Sequence, residues 1–152
     1  MMISFVGHAF VANRREVKEK VKKQLRRVLS RSERITCYLG GRGDFDELCA
    51  EACRDLKREF GGIETVYVTP DIRLGAQLRI KDMERMGLYD ASVYPPIEKT
   101  PPRFAIIKRN EWMMESADLI IAYVSHEYGG AFRALRFAKR RKKEIVNLFE
   151  EL

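Results

Sequence analysis

Residues 34–62 read RITCYLGGRGDFDELCAEACRDLKREFGG. The first six form a short apolar run stopped by Gly40, which predicts a buried strand. Gly40, Gly41 and Gly43 follow almost at once and predict a tight turn. Beyond them Phe45, Leu48, Cys49, Ala52, Cys53, Leu56 and Phe60 recur at intervals of three and four. That period predicts a helix from about Asp44 to Phe60, ended by Gly61-Gly62. Asp44 and Glu47 have capping-box spacing, which predicts Asp44 as the helix cap.

The same unit recurs on both sides. MISFVG (2–7) predicts a first buried strand, and REVKEKVKKQLRRVLS (15–30) carries Val17, Val21, Leu25, Val28 and Leu29 as a narrow apolar stripe on a basic helix. ETVYVTP (64–70) predicts a third strand. RFAIIKRNEWMMESA (103–117) predicts a helix with Pro102 in its first turn, and Trp112 is expected to pack in a core or interface. DLIIAYVS (118–125), GGAFRALRFAKRRKK (129–143) and EIVNLF (144–149) predict a further strand, helix and strand. Residues 71–101 hold three prolines and no clear period, and are expected to form an irregular insertion. Alternating strands and helices predict an α/β fold. The expectation is a single domain over 1–152: three Rossmann-like layers around a mostly parallel sheet of about five strands.

With 152 residues the chain suffices for one domain with a real core. No apolar run is long enough to span a bilayer, and the N-terminus lacks the pattern of a signal peptide, so a cytoplasmic location and no membrane partner are expected. Cys37, Cys49 and Cys53 are read as reduced buried thiols. Cys49 and Cys53 are spaced i,i+4, but His8 and His126 each stand alone, so no metal and no resident cofactor is expected. The net charge of +7 is uneven. Residues 14–31 hold nine Lys/Arg and two Glu, and residues 133–143 hold seven basic residues and no acid, so the remainder of the chain is net acidic.

In open parallel sheets, ligands bind beyond the carboxyl ends of the strands. Three predicted loops meet there: Gly7-His8-Ala9-Phe10, Gly40-Gly41-Arg42-Gly43-Asp44, and Ser125-His126-Glu127-Tyr128-Gly129-Gly130. Glycine at each turn allows backbone amides to approach a ligand. The helix after Gly43 opens on acids, so its mouth suits a sugar or a base, with Asp46 as the acid that binds or catalyses. The helix after Gly129-Gly130 has no acid in its first turn and suits an anion. Arg109 and Asn110 have the chemistry to reach a phosphate or a base edge.

The motifs FVGH, GGRGDFDELCAEA, RNEWMMESADLIIAYVS and GGAFRALRFAKRRKKEIVNL, in this order, resemble the SLOG group of Rossmann-like proteins, in particular its small bacterial branch. That group includes the lonely-guy phosphoribohydrolases and the Rossmann domain of DNA-processing protein A. The resemblance covers most of the chain except 71–101. It implies a nucleotide-type ligand and a strand order in which the first and last helices lie on opposite faces. It also implies Gly7, Gly40, Gly41, Gly43, Asp46, Arg109, Asn110, Gly129 and Gly130 as site residues, with a homodimer as the expected assembly. The phosphoribohydrolases carry P-G-G-x-G-T-x-x-E after the fourth predicted strand. Here HEYGGAFRALRF keeps the Gly-Gly pair but lacks the threonine and the catalytic glutamate. Arg109 matches their active-site arginine, and Asp46 or Glu127 would have to replace the missing acid.

Three functions are expected to compete. The first is binding of a small nucleotide-like molecule, such as a nucleoside monophosphate or an ADP-ribose-type signal, by Gly7, His8, Gly40, Gly41, Gly43, Asp46, Arg109, Asn110, Ser125, His126, Gly129 and Gly130. The second is cleavage of an N-glycosidic bond by Asp46 with Arg109. The third is nucleic-acid binding through the two basic helices.

Overall fold

A computed structural model describes residues 1–151. Leu152, the last residue of the expected domain, lies outside the described residues. Strands β1 (Met2–Gly7), β2 (Ile35–Leu39), β3 (Ile63–Val68), β4 (Ala91–Val93), β5 (Leu119–Tyr123) and β6 (Glu144–Asn147) form one sheet in the order β4-β3-β2-β1-β5-β6. All five pairings are parallel. The helices between them are α1 (Arg14–Leu29), α2 (Gly43–Phe60), α3 (Leu74–Arg85), α4 (Ala105–Ser116) and α5 (Gly129–Arg140). Pro102–Phe104 forms a single 3-10 turn ahead of α4.

Parallel strands buried on both faces read as continuous apolar runs, and β1 and β5 do so. Their alternate side chains feed two cores. Ile3, Phe5 and Ile121 pack with the apolar stripes of α1 and α2, and with Cys37, Cys49 and Cys53, all three of them free and buried. Val6, Ile120 and Ala122 pack with Met113, Met114, Leu135 and Ala138 of α4 and α5, with Trp112 against their edge. Helices α1 and α2 therefore cover one face and α4 and α5 the other. That is the three-layer arrangement expected, with the first and last helices on opposite faces.

The sheet has six strands rather than about five. Residues 71–101 are not wholly irregular, because they contain α3 and the edge strand β4. Both elements are faint in the sequence for physical reasons. Helix α3 buries only Ala76 and Ile80 and leaves Leu74 and Leu78 exposed, so no apolar stripe marks it. Strand β4 is three residues long, and Asp90 anchors its entry by accepting hydrogen bonds from the Thr65 amide and hydroxyl.

The basic face of α1 is matched by the acids of α2. Arg14 pairs with Asp44 at 3.0 Å and with Glu47 at 3.5 Å; Lys18 pairs with Glu51 and Asp55, Lys22 with Asp55, and Arg26 with Glu59. Each such partly exposed pair is worth less than about 1 kcal/mol. Together they neutralise one charge per turn of α1.

Asp44 does not cap α2 as its spacing predicts. The cap position belongs to Arg42, and Asp44 turns away to accept from the Val11 amide and from Arg14. The loop after β1 takes over the capping. The Asp44 and Phe45 amides donate to the carbonyls of Ala9 and His8 at 2.8 and 3.4 Å. Gly43 makes this contact possible, with φ +86° and a position where a Cβ would stand 2.6 Å from the Ala9 Cα. Gly43→Ala is therefore expected to cost about 1–3 kcal/mol through overpacking and left-handed strain, read as a fall in chemical-denaturation midpoint with an unchanged slope.

Candidate functional site

Strand order reverses between β1 and β5, and the loops leaving their carboxyl ends part there. A cleft of about 710 Å³ opens at this point. The loop after β1 contributes Gly7, His8 and Phe10, and the loop after β2 contributes Gly40, Arg42 and Gly43. Asp46 enters from the first turn of α2, and Arg109 and Asn110 from α4. Ser125, His126, Tyr128, Gly129 and Gly130 form the wall after β5. Eleven of the twelve ligand-site residues expected from sequence thus line one cavity. Gly41 does not. Its φ of +68° serves the turn, and its α-carbon faces Tyr67, which a Cβ would approach to 2.2 Å.

Several glycines earn their place by contacts within the chain rather than by room for a ligand. A Cβ on Gly7 would meet the Phe45 ring at 2.3 Å, and one on Gly40 would stand 3.1 Å from the Arg109 guanidinium carbon. Gly129 and Gly130 differ, because nothing lies within 4 Å of either added Cβ.

Two buried charged side chains, Arg109 and Asp46, stand in the cleft. Arg109 is 2 % exposed, and its Nη1 donates to the carbonyls of Gly40 at 3.1 Å and Val68 at 2.7 Å. Its Nε donates to Asn110 Oδ1 at 2.9 Å. Nη2 makes no hydrogen bond among the described residues. Asp46 is 9 % exposed, and its Oδ2 accepts from the Arg42 amide at 3.0 Å. Burial pushes its pKa up from 3.8 to about 6, against the pull of the Arg42 amide and of Arg109. A carboxyl that titrates near neutrality can act as an acid or a base.

The opposite wall is aromatic. His8 and His126 stack with centroids 3.7 Å apart and planes within 5°, and Tyr128 stacks on His126 at 4.0 Å. The Ser125 amide donates to His8 Nε2 at 2.8 Å, which assigns the ring proton of His8 to Nδ1. Burial, then His126, lowers the His8 pKa from 6.5, so the imidazole is neutral at physiological pH. Tyr128 and Phe10, 71 % and 76 % exposed, stand at the rim. Glu127, the other substitute acid expected from sequence, is exposed and does not line the cleft.

The two helix mouths differ, though loop carbonyls rather than the expected Asp44 cap close that of α2. Loop carbonyls occupy the first amides of α2, whereas among the described residues no side chain or loop carbonyl caps α5. The basic residues divide likewise. Those on the α2-facing side of α1 are paired, while Arg133, Arg136 and Arg140 of α5 make no ion pair with a described residue. Among the described residues no cluster of three or more His, Cys, Asp or Glu could hold a metal, and no helix is long and apolar enough to cross a membrane.

No protein-family model and no curated protein matches the sequence. Solved structures do. DNA processing protein A from Streptococcus pneumoniae superposes with a TM-score of 0.63 at 16 % identity, over 95 % of this chain and 48 % of that one. DNA processing protein A from Helicobacter pylori, described for its single-stranded DNA binding mode, gives 0.61 at 14 %, over 95 % and 63 %. The structural-genomics target TM1055 gives 0.59 at 16 %, over 95 % and 71 %. The chain thus spans about half to under two thirds of the DNA processing proteins it matches. At these identities the likeness establishes the fold.

Proposed function

We propose that the cleft binds a small nucleotide-like ligand, a nucleoside monophosphate or a larger molecule containing one. One observation carries this reading: a single cavity gathers the buried side chains of Asp46 and Arg109, an aromatic stack and an uncapped helix N-terminus. The three fit the parts of a nucleotide. The α5 amides and Arg109 Nη2 suit phosphate, Asp46 suits a ribose hydroxyl, and the His126–Tyr128 rings suit a base. The test is a thermal-shift panel of nucleoside mono-, di- and triphosphates, ADP-ribose and NAD. A ligand at about 100 times its Kd stabilises by about 2.7 kcal/mol, a rise of several degrees for a domain of this size. No rise across the panel would remove the reading.

Gly130 supplies a second, local test. Gly130→Val adds bulk to the cleft wall where no protein atom stands, so Tm is expected to change by less than about 2 °C while the ligand-induced shift disappears. A normal ligand shift in this variant would move the phosphate away from α5.

The high pKa of Asp46 favours a second reading, cleavage of an N-glycosidic bond. Asp46 would take the proton of the water attacking the anomeric carbon as the base departs. Release of free base, followed by chromatography in the same panel, separates an enzyme from a binding domain. Nucleic-acid binding through both basic helices has less support, because the acids of α2 already neutralise one side of α1. It predicts an affinity for single strands that falls steeply with salt.

A further inference from the structure

A second cavity adjoins the cleft. A groove of about 570 Å³ runs between α4 and α5, and Ile106, Asn110, Tyr128, Gly129 and Gly130 line both it and the cleft. The two spaces therefore meet at the uncapped start of α5. Ile107, Phe132 and Phe137 give the groove apolar walls, and Arg133, Arg136 and Arg140, against Glu111 and Glu127, give it a net positive charge. The three arginines are spaced i, i+3 and i+7, which puts them on one side of α5. None of them has a hydrogen-bond or ion-pair partner among the described residues.

We propose that cleft and groove are two halves of one site, and that its ligand is a pyrophosphate-linked dinucleotide. The proposal rests on the reading of the cleft as a nucleotide site and extends it. One nucleoside lies in the cleft against the His126–Tyr128 rings. The pyrophosphate crosses the Gly129-Gly130 turn, where the α5 amides are open and no side chain intrudes. The second nucleoside enters the groove between Phe132 and Phe137, and the arginines meet its ribose, base face or phosphate charge.

Three observations favour this occupant over a mononucleotide. The cleft alone has the size of a small-molecule site, and the groove adds a second space of comparable size. The lining of the groove sets flat apolar side chains beside three unpaired arginines, which outnumber the acids Glu111 and Glu127 there, a combination that suits a base and its phosphate. Finally, the buried Arg109 lines the cleft with Nη2 free of any described acceptor, so an anion is expected on the cleft side as well as the groove side.

The experiment is titration calorimetry of the full chain with AMP, ADP-ribose, NAD and diadenosine diphosphate, repeated on Arg136→Ala/Arg140→Ala. Both arginines are exposed, so the variant is expected to fold. The dinucleotides are expected to bind roughly ten- to a hundredfold more tightly than AMP, each tenfold step being about 1.4 kcal/mol. ADP-ribose, which lacks the second base, is expected to fall between. The double substitution is expected to remove the advantage and leave AMP affinity unchanged. Equal affinity for AMP and the dinucleotides, or equal weakening of both in the variant, overturns the proposal and leaves the cleft reading standing. Failure of AMP and dinucleotides alike overturns both. If sedimentation finds a second copy of the chain covering the groove, and the dinucleotides then bind no better than AMP, the proposal falls as well.

Discussion

Arg109→Met is expected to lower folding stability by about 3–5 kcal/mol, a fall in Tm on the order of 10–15 °C. The side chain is almost wholly buried, and one guanidinium nitrogen holds the carbonyls that end β2 and β3. Methionine has the length to fill the space but no donor. Two inward carbonyls would lose their partner, at about 1–3 kcal/mol each where water cannot reach. Asp46 would also lose the positive charge that keeps its pKa from rising further. Arg109→Lys keeps a charge but cannot fork between two carbonyls and Asn110, so an intermediate loss is expected. In Arg109→Met/Asp46→Asn the loss is expected to be smaller than the sum of the two, because no uncompensated carboxylate remains. Calorimetric unfolding of the parent, the three single variants and the double variant checks this. A Tm for Arg109→Met within about 2 °C of the parent would mean that the residue faces solvent and serves the ligand alone. The prediction separates two roles the sequence merges. An arginine at an active-site position reads as a ligand contact, whereas this geometry makes it the pin between two strand ends with one nitrogen left for an anion.

Much of this arrangement was legible, and for a common reason. The β1 and β5 strands are buried on both faces, so their apolar runs stand out, glycines mark the ends of β1 and β2, and parallel connectivity then brings the loops to one end of the sheet. What escaped was what depends on through-space neighbours. His8 and His126 looked like two solitary histidines, yet each follows a strand, and β1 and β5 pair side by side. Sheet order alone was enough to bring the rings together. Asp44 looked like a cap because spacing records neighbours along the helix. The carbonyls that displaced it come from a loop more than thirty residues away. Arg42, Phe10 and Tyr128 lie in the same loops without a mark of their own in the sequence, since backbone donation and rim exposure leave no pattern in composition. Helix α3 and strand β4 escaped because they bury too little to impose a period.

Asp46→Asn is expected to raise stability at neutral pH while abolishing the ligand-induced thermal shift. Burial lifts the Asp46 pKa from 3.8 to about 6, so the folded chain holds this proton more tightly than the unfolded chain does. For a carboxyl displaced upward, the associated stability is fully present below pH 4. It is lost as pH rises from about 4 to about 6, and the loss is complete above that. At about 1.4 kcal/mol per pKa unit, the ionised carboxylate costs at most about 3 kcal/mol at pH 7–8. Asparagine can accept the same Arg42 amide hydrogen bond and never ionises. The variant should therefore be the more stable protein at pH 7.5, with the difference vanishing near pH 4. Denaturation midpoints measured from pH 4 to pH 8 decide the matter. Parallel curves would show that Asp46 is hydrated and titrates normally. Curves that diverge above pH 5 would show a charge held in the cleft at the expense of the fold. The second half of the prediction gives that cost a reason. A buried carboxylate with a spare oxygen suits a ribose hydroxyl, and the neutral amide keeps the shape while losing the charge. A variant that is more stable and yet blind to the ligand would place Asp46 in the binding site by a measurement independent of catalysis. A more stable variant with an unchanged ligand shift would leave Asp46 buried for reasons other than binding.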